Sequence, residues 1–192
     1  MKNQANLLLV LCVVALCWAD EPSPYFREFA RLDHIFALTG TPSQTGATAL
    51  ELLELVALGR TSAIRAGSET QIGLFPGELQ YATYAEPSVR VHALQKIGEC
   101  RLPEALEFLQ NLKRSDLGED TTQMIWPNSR VALTNALLNR IENPEARTEF
   151  LVNTLKELGD GRDLVAPWVS NQLCDQGTST ALPLIRRGFK NS

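Results

Sequence analysis

His34 and His92 are the only histidines in this 192-residue chain, and imidazole is the side chain that most readily moves a proton or binds a metal near neutral pH. Each sits in an apolar helical pattern beside a charged candidate partner, Asp33 for His34 and Arg90 or Lys96 for His92. A zinc site needs three or four converging ligands, and no HExxH, CxxC or HxH spacing occurs. His92 and Cys100 fall on one predicted helix, where a rise of about 1.5 Å per residue holds them roughly 12 Å apart. Both histidines are therefore expected on a helix surface or half-buried, with no metal and no cofactor.

Carboxylate pairs at Glu51/Glu54 and Glu104/Glu107 are spaced to share a helix face. Acid–base chemistry would require one of them to be desolvated, and a solvated face is the simpler expectation. The segment "GDGRD", Gly159 to Asp163, carries acids and glycines but lacks the alternating oxygen ligands and distal Glu of an EF-hand loop. It reads as an interhelix turn. No catalytic residue is assigned.

The elements that must position these groups are helical. After "DEPS", Ser23 can cap a helix with Pro24 at its first position, and Phe26, Phe29, Ala30, Leu32, Ile35 and Phe36 form its apolar face before Gly40 and Pro42. A second helix opens near Ser43 and runs through "ATALELLELVALGR". Gly67, Gly73, Pro76 and Gly77 break the next stretch. A short helix is expected from Thr61 to Ala66, then a loop, then another short helix near Gly77 to Ala85.

From Glu86 the chain repeats itself. Pro87, Arg90 and Val91 are echoed by Pro127, Arg130 and Val131, and "PEA" at Pro103 by "PEA" at Pro144, a period of roughly 40 residues. Each unit reads as a helix, a polar turn, and a second helix opened by Pro and Glu, which suits the unpaired N–H groups and positive dipole of a helix start. A looser third copy places Val165, Leu173, Ala181, Leu182 and Ile185 at the positions of Val89, Ile97, Ala105, Leu106 and Leu109. Cys100 and Cys174 then lie two units apart, roughly 20 Å if packed helices are about 10 Å apart, whereas a disulfide needs Cα atoms within about 7 Å. Two free, largely buried thiols are expected.

The stretch "VRVHALQKIGECRLPEALEFL" resembles HEAT and HEAT-like helical repeats of the bacterial, exported type. The resemblance implies an all-α fold, an α-solenoid of stacked antiparallel hairpins with its clearest repeats over 86–188. It also implies a curved surface of the kind that mostly binds proteins. The region before Glu86 departs from the pattern, either as divergent repeats or as a cap.

The leading segment "MKNQANLLLVLCVVALCWA" has one cation, Lys2, an apolar run from Leu7 to Leu16, and small residues at Cys17 and Ala19. That is the plan of a signal peptide over 1–19, leaving 20–192 as a single domain without stable membrane insertion. Leu11 and Leu16 before the two leader cysteines argue against lipidation. The formal net charge is −4, and no Lys/Arg cluster stands ready for phosphates, which excludes nucleic acid and anionic lipid as expected partners.

The expected function is a non-enzymatic protein–protein interaction or scaffolding module, periplasmic or secreted, with a protein or peptide partner. The residues nominated for binding are Arg90 and Arg130, which recur at one repeat position, and Tyr81 and Tyr84, with Phe75, Trp126 and Trp168 as further aromatics near unit junctions. The competing expectation is an envelope enzyme or apolar-ligand carrier, with a site between the N-terminal helices and segment 67–80.

Overall fold

The computed structural model describes residues 23–41, 44–118, 123–158 and 164–175. The proposed signal segment, Ser43 where the second helix was expected to open, the "GDGRD" turn, and the third-copy positions Ala181, Leu182 and Ile185 lie outside the described residues. The described residues hold eight α-helices and no strand. These are α1 (Phe26–Thr39), α2 (Gln44–Ala57), the single turn α3 (Ser68–Gln71), α4 (Pro87–Glu99), α5 (Pro103–Asn111), α6 (Ile125–Leu138), α7 (Pro144–Leu158) and α8 (Val165–Asp175).

The expected all-α class holds, with local corrections. The first helix begins at Phe26 rather than Pro24, because Ser23 spends its hydroxyl on the Tyr25 N–H, 3.3 Å away, in a preceding turn. The helix expected from Thr61 to Ala66 shrinks to a 3₁₀ turn at Thr61–Ala63, since Gly67 takes a positive φ of 91° and starts α3. The helix expected near Gly77 to Ala85 divides into two 3₁₀ turns, Glu78–Gln80 and Ala82–Ala85, because Tyr81 between them is extended.

Packing follows the chain. α4 lies between α2 and α6, α1 packs on α2 and α4, α6 touches α8, and α7 pairs with α8. Gly98 makes the α4–α6 crossing close: a Cβ there would come 2.7 Å from the Ala132 carbonyl oxygen and 2.9 Å from its Cα. Two apolar cores result. The larger runs from Leu32 and Ile35 through Leu53, Leu79, Leu94 and Ile97 to Ala136, and the smaller joins Leu138, Leu151, Val165, Val169 and Leu173. Val165 and Leu173, two positions of the third copy, are fully buried in the smaller core.

Candidate functional site

The α1–α2 connection bends back so that the last turn of α1, the outer face of α2 and the start of α5 surround a cavity of about 350 Å³. Its wall combines Leu50 and Leu102 with the hydroxyl-bearing Thr39 and Thr41, and three carboxylates, Glu51, Glu54 and Glu104. Glu51 and Glu54 reach it because i, i+3 residues share a helix face. Glu104 reaches it because Pro103 fixes the first turn of α5. Glu107 is exposed and does not line the cavity.

Glu54 was expected on a solvated face; it is half-buried instead. Desolvation by its surroundings and the neighbouring Glu51 charge push its carboxyl up to about 7. Glu51 faces Arg65 at a loose 3.9 Å, while among the described residues no ion pair engages Glu54 or Glu104. The Thr39 and Thr41 hydroxyls donate to the Phe36 and Leu38 carbonyls at 2.7 and 2.6 Å. The cavity thus offers an apolar wall and anionic oxygens. Among the described residues, no group of three His, Cys, Asp or Glu side chains is placed to hold a metal.

The nominated binding residues separate. Arg90 is only 7% exposed, with Nε donating to the Ala57 carbonyl at 3.1 Å and Nη2 to that of Leu117 at 2.7 Å. Arg130 is exposed. The two recurrent arginines therefore form no cation ladder, and Arg90 is withdrawn from partner contact. Tyr84, expected outside, is buried at 4% exposure, and its hydroxyl is pushed up to about 12 by burial and by Glu78 and Glu28 against the pull of Arg31. Tyr81 is 66% exposed, Phe75 80%. Trp126 and Trp168 are partly buried against the larger and smaller cores respectively.

The histidines also part company. His34 is exposed, and Asp33 turns away from it to His92, whose Nε2 lies 2.9 Å from Asp33 Oδ1. Lys96 Nζ sits 3.3 Å from the same oxygen and 3.0 Å from Glu99, and the His92 ring stacks on Phe29 with centroids 4.6 Å apart. Burial acts to raise the Asp33 pKa, but hydrogen bonds from His92 and Lys96 outweigh it and hold the carboxyl below its usual range. This cluster clasps α1 to α4. Cys100 is buried with Sγ donating to Thr39 Oγ1 at 3.6 Å, whereas Cys174, expected to be largely buried, is exposed on the last turn of α8.

Sequence reasoning missed Thr39, Thr41 and Leu102 as cavity residues, because only folding brings three separate segments together. It also missed Glu69. Its carboxylate is buried at 5% exposure and accepts from the Gly77 N–H at 2.5 Å and the Leu79 N–H at 2.8 Å. No residue lining the cavity comes from segment 67–80, where the competing expectation put a site. Comparison of the chain with protein families, curated proteins and solved structures gave no match.

Proposed function

We propose that the chain is a non-enzymatic binding module, an exported stack of helical hairpins, that engages a protein or peptide partner through a basic side chain. The observation that carries this reading is the cavity over Glu54. A Lys or Arg stem would lie along Leu50 and Leu102 while its cationic head meets Glu54 and Glu104. The order of packing, α2 to α4 to α6 to α8, supports the hairpin stack. Export rests on the leader sequence alone. No helix among the described residues is long and apolar enough to cross a membrane.

Titration calorimetry of the full chain with Lys-rich and Glu-rich synthetic peptides tests the reading. Binding of the basic peptides, weakened by salt and by Glu54→Gln with Glu104→Gln, is the expected result. Equal binding of both peptide classes, or indifference to the double substitution, would overturn it.

A second reading, acid–base catalysis at the same cavity, is favoured by Glu54 titrating near neutrality. It requires a reacting partner for Glu54. The two lining hydroxyls already donate to backbone carbonyls, so the chemistry would have to come from a bound substrate or water.

A further inference from the structure

Three elements line the cavity over Glu54, and none of them brings it a cation. Glu51 stands one turn earlier on α2, and Glu104 enters from the start of α5. α1 contributes the hydroxyls of Thr39 and Thr41, with the Cys100 thiol behind Thr39. No charged residue of α1 or α4 lines the cavity, and the charges of the neighbouring elements are engaged elsewhere. On α4, His92 and Lys96 are held by Asp33, Glu99 by Lys96, and Arg90 by the Ala57 and Leu117 carbonyls. Glu69 of α3 accepts from the Gly77 and Leu79 N–H groups, and Arg60, ahead of the Thr61–Ala63 turn, donates to the Asp116 carbonyl at 3.4 Å. Arg101, just before Leu102, is exposed and does not line the cavity, and Arg65 meets Glu51 at 3.9 Å.

A carboxylate half-buried beside Leu50 and Leu102, with a second carboxylate next to it and no cation among its described neighbours, is stabilised by holding a proton. An incoming cation relieves the same desolvation and repulsion, so proton and cation compete for one place. We propose that the cavity exchanges a proton for its ligand: the cationic head of the bound side chain displaces the proton of Glu54, so that the chain holds its basic partner at neutral pH and releases it in acid. The exchange balances as a Glu54 carboxylic acid and a free ammonium giving a carboxylate–ammonium pair, with the proton passed to water. Desolvation and the Glu51 charge, which raise Glu54 to about 7, put this exchange where mild acidification acts. Exchange at Glu54 rests on the peptide-binding reading of the same cavity.

The test is titration calorimetry of the full chain with a Lys-rich peptide, acetylated and amidated at its ends, in pairs of buffers that differ in ionisation heat. Lys side chains titrate near about 10.4 and stay charged over the range from about pH 5.5 to 8.5. Release of about one proton per peptide at about pH 6, falling toward none at about pH 8.5, is expected, with affinity about tenfold weaker at pH 6 than at pH 8. Glu54→Gln should bind more weakly at the upper end, release no proton and lose the pH dependence. Glu51→Gln, which removes the neighbouring charge, should keep the exchange and move its midpoint to lower pH. Both variants should remain folded throughout, and melting curves at each pH separate lost binding from lost folding. Binding without proton release, or with an unchanged pH dependence in Glu54→Gln, would overturn the exchange and leave the peptide-binding reading in place. No binding at any pH would overturn both.

Discussion

Arg90 Nη2 sits 2.7 Å from the Leu117 carbonyl oxygen, so a helix in the middle of the chain holds the turn that follows α5. With its Nε on the Ala57 carbonyl, the same guanidinium also holds the end of α2. Arg90→Met should destabilise the fold by about 2–4 kcal/mol, because two buried acceptors lose their charged donor. Arg90→Lys should recover only part of that, since an ammonium lacks the planar fork. Arg130→Met, at an exposed site, should stay within about 0.5 kcal/mol. Urea unfolding of the three variants measures the contrast; equal losses at Arg90 and Arg130 would show that Arg90 is not a clamp.

Gly98→Ala tests the α4–α6 crossing. An added Cβ meets the Ala132 backbone at 2.7 Å, a contact that α4 can relieve only by moving. Overpacking of this kind costs about 1–3 kcal/mol, opposed by a helix-propensity gain of about 1 kcal/mol. A lowered melting temperature is expected, and a raised one would mean that the two helices are further apart.

The pH dependence of stability should have two components of opposite sign. Glu54, raised to about 7 from an ordinary 4.5, favours the folded state fully at low pH and loses that contribution as pH rises through its folded value. Glu54→Gln should therefore gain stability relative to the parent between about pH 5 and 8. Asp33 is lowered, so its contribution is present above its unfolded value and disappears as pH falls. Asp33→Asn should flatten the acid limb. Chemical unfolding of parent and variants from pH 3 to 8 resolves both, and parallel curves throughout would contradict these environments.

The two thiols should differ in reactivity. Under native conditions a water-soluble disulfide reagent should modify Cys174, which is exposed, and leave Cys100, which is buried against Thr39, until the chain unfolds. A count of one fast and one unfolding-limited thiol in a variant lacking Cys12 and Cys17 is the expected outcome. Two fast thiols would place the end of α4 at the surface.

The helices from Glu86 onward were legible because Pro and Glu mark helix starts and apolar spacing follows the helical period, signals that depend only on neighbours along the chain. Even there the copies differ, since α4 begins on Pro87 while α6 begins at Ile125, ahead of Pro127. The Gly/Pro stretch was less legible. Its order comes from Glu69, a side chain whose backbone partners lie eight and ten residues ahead of it.

By itself the sequence determined helix identity, the positions of several helix starts and the spare carboxylates of α2, because each follows from local periodicity and capping chemistry. Tertiary structure decided what those residues face. It buried Arg90 and left its repeat partner Arg130 outside, turned Asp33 from His34 to His92, and closed Glu54, Glu104 and Leu102 around one cavity. Positions that match in the sequence echo diverged because a helix takes its environment from the elements packed against it, and those are not alike along this chain.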